Sequence, residues 1–156
     1  MTIDEVMTRP VRTCAPTDSL RRAAQIMWEH DCGSVPVVSD DGRIRGMITD
    51  RDVCMTGFLR GEPLNDCAVH EVMARPVVTS LASDSVETAH ETMRRYRIRR
   101  LPIVDGEGRL VGILSLNDLV LAAPSPSHQQ RGLRPEAVLT TLMAISEHRK
   151  ADAAPS

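Results

Sequence analysis

Aromatic side chains are almost missing from this chain of 156 residues: Trp28, Phe58 and Tyr96 are all it has. A core must therefore be built from Val, Ile, Leu, Met and Ala, and no series of rings is available for stacking bases along a nucleic-acid strand. A basic field is missing too. The formal net charge is −2, with acids and bases interspersed, which argues against a DNA or RNA partner. No apolar run reaches the roughly 18 residues that a membrane helix needs. The opening Met1–Glu5 is acidic and has no apolar stretch, so no secretory leader is expected and a soluble cytoplasmic protein is. Cys14, Cys32, Cys54 and Cys67 show no C-x-x-C spacing; reduced thiols, three or four of them buried, are expected rather than a zinc site or disulfides. His30, His70, His90, His128 and His148 form no metal-ligand pattern, so no metal is expected. No Ser/His/Asp or Cys/His arrangement stands out either, so no catalytic residue is assigned and an enzyme is not expected.

What the chain does have is a duplication. A shift of 66 positions lays Val6-Met7-Thr8-Arg9-Pro10-Val11 on Val72-Met73-Ala74-Arg75-Pro76-Val77. Thr13, Asp18-Ser19, Ala23, Met27, Pro36, Val38, Gly42-Arg43, Gly46 and Asp52 meet identical residues at the same offset, without a gap. Two copies of about 60 residues are each marginal for an independent core, so they should share buried surface. The repeated Met7, Met27, Met73 and Met93 belong to that shared interior.

Within the first copy, Ser19 caps a helix whose apolar positions Leu20, Ala23, Ala24 and Met27 fall at helical spacing, with Gly33 placed to stop it. Val35-Pro36-Val37-Val38 reads as a buried strand. Asp40-Asp41-Gly42-Arg43 is a turn, Ile44 to Ile48 the returning strand, and a second helix runs from Thr49 to about Leu59. The second copy repeats this: a strand near Val77-Val78-Thr79, a helix from Asp84-Ser85, strands at Leu101–Val104 and Leu110–Leu114, and a helix opening at Ser115. Gly106-Glu107-Gly108 is a hairpin turn and not a dinucleotide loop. The expected division is unit one at 1–60, a linker at 61–71, unit two at 72–123, a linker at 124–133 broken by Pro124-Ser125-Pro126-Ser127, an amphipathic helix at 134–149 presenting Val138, Leu139, Leu142, Met143 and Ile145, and a disordered tail at 150–156. The fold class is mixed α/β, each unit running strand, helix, strand, strand, helix over a small sheet.

Gly46-Met47-Ile48-Thr49-Asp50-Arg51-Asp52 and Gly112-Ile113-Leu114-Ser115-Leu116-Asn117-Asp118 sit where a strand hands over to a helix. A hydroxyl followed three residues later by an acid makes a helix capping box. The same geometry also suits a nucleotide: free N–H groups and the positive dipole end favour phosphate, and a carboxylate one turn on can accept both ribose hydroxyls.

With these endings, a Val-Met pair near each start and a Val-Pro or Leu-Pro dipeptide mid-unit, the chain resembles a tandem pair of CBS domains, the pair called a Bateman module, over residues 1–122. The resemblance implies a regulatory sensor that binds AMP, ADP, ATP, NAD or S-adenosylmethionine between its two units, with no obligatory cofactor, and that forms a homodimer. It also implies which residues meet. The main cleft would combine Thr49 and Asp52 with Thr79, Ile98, Arg99 and Arg100; a second would combine Ser115, Asn117 and Asp118 with Thr13, Cys32, Gly33 and Ser34. Phosphate affinity should favour the main cleft, because the guanidiniums of Arg99 and Arg100 stand where the first copy has only Gly33 and Ser34. The output would pass to a protein partner. The competing reading is a dimeric interaction scaffold that binds no ligand and works through its surface or its C-terminal helix.

Overall fold

The computed structural model of the chain describes residues 1–122 and 134–147. The expected linker at 124–133 and the tail at 150–156 lie outside the described residues. The elements run α1 (Leu20–Glu29), β1 (Ser34–Val38), β2 (Ile44–Thr49), α2 (Asp50–Arg60), β3 (Ser80–Leu81), α3 (Val86–Tyr96), β4 (Arg100–Val104), β5 (Leu110–Ser115), α4 (Leu116–Ala122) and α5 (Pro135–Ser146). Strands β1 and β2 pair antiparallel, as do β4 and β5, and β3 adds to β4 in parallel. The register shifts at the same place in both hairpins, between Val37 and Val38 and between Ile103 and Val104.

The opening strand forms only in the second unit, at Ser80–Leu81 and not over the expected Val77–Thr79. Its counterpart in the first is a single bridge between Cys14 and Val37. The difference has a local cause: the Ala82 N–H donates to Val104 O at 3.3 Å, whereas Pro16, in the equivalent position, has no N–H to give.

Two apolar cores form, and each is completed by the start of the other repeat. Ile3 and Met7 are buried with Val86, Met93, Leu101, Leu114 and Leu119 of the second unit. Val69 is buried with Leu20, Met27, Val35, Ile48 and Val53 of the first, and Val72 and Met73 pack against that group. The crossed straps are tied by matching backbone bonds. Ile3 N–H donates to Asp84 O at 2.9 Å, and Val69 N–H donates to Asp18 O at 2.8 Å. Thr8 exchanges two bonds with Ile113 as Ala74 does with Met47. Each methionine plugs onto a glycine: a methyl group on Gly46 would stand 2.5 Å from Met73 Sδ, and one on Gly112 would collide with Met7. Those two glycines are required by close approach, not by backbone twist.

Local chemistry explains the helix ends. Ser19 and Ser85 accept from the N–H groups of Arg22 and Thr88, capping α1 and α3. Gly61 closes α2 with φ +63. Gly33 does not end α1 as expected: the left-handed residue there is Asp31, φ +47, matched by Arg97, φ +53, after α3. Asp tolerates this conformation because its short polar side chain can bond locally. The C-terminal helix lies on α3 and α4, but its buried line is Val138, Thr141 and, in part, Ile145; Leu139, Leu142 and Met143 face outward. The expected apolar face is therefore rotated. Thr141 is accommodated because its hydroxyl donates to Ala137 O and meets His90 Nδ1 at 2.6 Å. The thiols also depart from expectation. Cys14 and Cys67 are buried, Cys32 is half-buried and Cys54 exposed, and all four are free.

Candidate functional site

Both hydroxyl-x-x-acid segments close as capping boxes. Thr49 Oγ1 and N–H donate to Asp52 Oδ2 at 2.7 and 2.9 Å, and Asp52 N–H returns a bond to Thr49 Oγ1 at 3.2 Å. Ser115 and Asp118 make the same three bonds at 2.7, 2.7 and 3.2 Å. In each box only one carboxylate oxygen is used, so the second can serve another partner. In the second unit that oxygen, Asp118 Oδ1, accepts weakly from Thr8 Oγ1 at 3.3 Å. In the first unit the matching strap residue is Ala74, which has no hydroxyl.

A cavity of about 310 Å³ lies between the two units. One wall is the second-unit end of β5 with Ile113, Ser115 and Asp118. The other is first-unit backbone carrying Val11, Cys32, Ser34 and Pro36, with Thr8 and Pro10 of the strap. Three basic side chains, Arg12, His30 and Arg100, complete the lining. Ser34 is 94% buried (6% exposed). Its hydroxyl makes no hydrogen bond among the described residues. A buried donor left alone costs about 1–3 kcal/mol, so this one marks a place built to meet something polar. Apolar walls, a carboxylate oxygen held only by a long bond from Thr8, an unmatched hydroxyl and a cationic rim can hold an apolar ring system, a sugar and an anion together.

The sequence-derived groups are brought together only in part. Ser115, Asp118, Cys32 and Ser34 share this cavity. Thr13 lines a separate depression with Val38, Gly42 and Leu110, and Gly33 faces another with Trp28, Asp31 and Asp50. Asn117 is exposed on α4. Arg100, grouped by the family resemblance with Thr49 and Asp52, lines the cavity that carries Ser115 and Asp118. Its guanidinium also reaches Gly33 of the first unit, where an added methyl would be 3.7 Å from Arg100 Nη2 and 3.0 Å from Asp50 Oδ2. Thr79 lines a shallow depression with Pro76, Thr88 and Tyr96. Ile98 packs against the second core. Arg99 is exposed, and its carbonyl accepts from Leu116 N–H at 2.9 Å. Thr8, Arg12 and His30 escaped the sequence reading. Thr8 was detectable as the one difference between residues 6–11 and 72–77; nothing in the spacing singles out Arg12 or His30.

The family model described as CBS domain matches residues 3–56 and again 69–125. The chain belongs to the CBS domain family. Among its relatives, the CBS domain-containing protein YhcV of Bacillus subtilis is 38% identical over 119 residues, which are 76% of this chain and 83% of that protein. The CBS domain pair of protein MJ0100, solved with 5-methylthioadenosine and S-adenosyl-L-methionine, superposes with a TM-score of 0.70 at 26% identity, covering 78% of this chain and 94% of the other. CBSX2, solved with AMP, gives 0.69 at 26% identity with the same coverage. The mixed α/β architecture is that of the paired CBS structures, and those two relatives each hold an adenosine ligand. No described helix is long and apolar enough to cross a membrane.

Proposed function

We propose that this chain is a non-enzymatic regulatory module whose cavity between the two CBS units takes an adenosine nucleotide. The observation that carries the reading is the unpartnered Ser34 hydroxyl in a cavity shared with Asp118 and rimmed by Arg12 and Arg100. Val11, Pro36 and Ile113 would sandwich the adenine. Asp118 Oδ1 would exchange its long bond from Thr8 for a ribose hydroxyl, and Ser34 would gain a partner. The two guanidiniums would grip phosphate, each charge-assisted contact being worth about 1.5–3 kcal/mol. This chemistry favours AMP, ADP or ATP over S-adenosylmethionine, whose sulfonium would sit among like charges. Relatives solved with AMP and with S-adenosylmethionine support the adenosine part.

The site thus falls to the cavity of Ser115 and Asp118; the Thr49–Asp52 cleft, which the family resemblance completes with Thr79, Ile98 and Arg99, is the weaker one because Arg100 lines the other cavity. The module would work in the cytoplasm, relay its state to a protein partner and self-associate into a homodimer. Exposed Val120 and Leu121 on α4, with Leu139, Leu142 and Met143 on α5, offer a surface suited to self-association. Regulation requires that the nucleotide bind one arrangement of the two units better than another.

A second reading, a scaffold that binds no ligand, is favoured by the closed capping boxes, which give both segments a structural job. Calorimetry with AMP, ATP, NAD and S-adenosylmethionine separates the two. Binding of AMP or ATP, weakened about 10- to 100-fold by Arg100→Ser, is the expected result. No heat with any of the four ligands leaves the scaffold.

A further inference from the structure

Arg100 stands between two places. On one side is the cavity that also carries Ser34 and Asp118. On the other is Asp50 of the first repeat, the opening residue of α2. The two charges flank Gly33: a methyl group there would lie 3.7 Å from Arg100 Nη2 and 3.0 Å from Asp50 Oδ2. Because residue 33 is glycine, no side chain stands between guanidinium and carboxylate. They are not yet in contact, since Arg100 makes no ion pair among the described residues. Asp50 Oδ1 accepts from the Arg51 N–H at 2.7 Å, and Oδ2 has no hydrogen bond among the described residues. The Asp50 N–H donates to Gly33 O at 3.1 Å, which holds this carboxylate beside the cavity wall. Arg100 is exposed, and its long stem lets a change of side-chain torsion carry the guanidinium to either side. The second repeat cannot copy the arrangement. There, 66 positions on, Asp50 becomes Leu116 and Gly33 becomes Arg99, and the first-repeat counterpart of Arg100 is Ser34.

We infer that Asp50 is a second seat for the Arg100 guanidinium, a built-in competitor that keeps small free anions out of the cavity and admits a phosphate only when a nucleoside carries it. Arg12, His30 and Arg100 alone would draw in any anion. With Asp50 beside it, Arg100 has a carboxylate to answer its charge while the cavity is empty. A free phosphate must win the guanidinium from that carboxylate and gains little else. A nucleotide also makes its base contacts with Val11, Pro36 and Ile113 and its sugar contact with Asp118, and these hold its phosphate beside Arg100 at high effective concentration. The carboxylate opposes both ligands, and only the tethered phosphate overcomes it. Selectivity of this kind comes from an element that disfavours the wrong ligand, not from a new contact to the right one. The preference for a nucleoside carrier rests on the nucleotide reading above; the competition between Asp50 and an anion for Arg100 does not.

The full chain is titrated by calorimetry with AMP, adenosine and inorganic pyrophosphate, as wild type, Asp50→Asn, Arg100→Ser and the double variant. Asparagine keeps the side-chain shape and the acceptor for the Arg51 N–H while removing the charge. Water screens two exposed groups, so the effect is modest. Asp50→Asn should tighten AMP about three- to tenfold, tighten pyrophosphate at least as much, and leave adenosine unchanged. In the Arg100→Ser background the same substitution should move neither anion. Unaltered AMP and pyrophosphate affinities in Asp50→Asn overturn the inference. So does a gain that survives Arg100→Ser, which is repulsion at a distance and not competition for the guanidinium. An equal gain for adenosine also overturns it, because that is a change of cavity shape. Wild-type chain that binds pyrophosphate as tightly as AMP removes the exclusion of free anions. Where neither wild type nor Asp50→Asn binds AMP or adenosine, the nucleotide reading falls; an Arg100-dependent gain for pyrophosphate still upholds the second seat, and no gain overturns it as well.

Discussion

The two repeats share a backbone plan and differ in what they expose. Both close a hydroxyl-to-acid box at the strand–helix handover, both cap their first helix with serine, and both press a methionine onto a glycine of the opposite unit. These shared positions hold the fold. The differing positions assign the jobs. Ser34 in one repeat stands against Arg100 in the other, so a single cavity receives both a buried hydroxyl and a guanidinium. Ala24 and Trp28 leave one helical groove open, whereas His90 and its partner Thr141 fix a helix in the other. Duplication supplies the scaffold, and divergence at a few sites breaks its symmetry, leaving one cavity between the units and one open groove on the first repeat.

The deepest break in that comparison is expected from the crossed straps. Met7 is buried, while Met73 is half-buried. Met7→Ala should cost about 2–5 kcal/mol, and Met73→Ala clearly less. Because Met7 belongs to the second core, amide hydrogen exchange should accelerate first in α3, β4 and β5 and not in α1 and β1. Equal loss of protection in both units would show that the cores are not partitioned as described.

Next in size, Gly112→Ala should destabilise by about 1–3 kcal/mol through collision with Met7. Gly46→Ala should cost less, because Met73 has room to move outward. The double variant Gly112→Ala with Met7→Val should recover part of the loss. Denaturant midpoints across this cycle measure the coupling, and strict additivity would remove the plug.

The caps come third. Ser115→Ala and Thr49→Ala should each cost about 1 kcal/mol, read as a fall in urea midpoint. The repeats should then part company in function: only the Ser115 variant should also weaken AMP binding.

The smallest effect at neutral pH is that of a thiol, which acts only in alkali. Burial, and secondarily the charge of Asp18, push the Cys14 thiol from its usual value near 9 up to about 12. The folded chain therefore keeps this proton where the unfolded chain has lost it. The resulting stabilisation is complete below about pH 9 and drains away as the pH climbs toward 12. Ser80, the equivalent residue of the second repeat, does not titrate there. Cys14→Ser should flatten the alkaline decline in urea midpoint, whereas Ser80→Ala should leave it in place. Cys14 should also resist alkylation at neutral pH while the exposed Cys54 reacts.

Much of this was legible beforehand. The register of 66 positions, the hairpin turns and the helix caps follow from local chemistry, and the structure repeats them nearly residue for residue. The crossed straps were not legible, because an identical Val-Met pair in both copies does not say which core each enters. Nor was the reach of Arg100. Its position in the sequence places it at the head of β4, but a long flexible side chain can serve either face of a two-unit junction. The misjudged face of α5 has a similar origin: hydropathy ranks Leu139 and Met143 above Thr141, and only the facing His90 makes Thr141 the better buried residue. Arg12 and His30 leave no local signature, since they matter only for where the chain brings them.

The most direct test is AMP calorimetry on the full chain with Asp118→Asn and Asp52→Asn side by side. Each substitution removes one carboxylate charge from a matching box. The expected result is a single site per chain, with affinity reduced at least tenfold by Asp118→Asn and unaltered by Asp52→Asn. Loss of binding through Asp52→Asn, with Asp118→Asn silent, would move the ligand to the other side of the molecule and contradict the assignment.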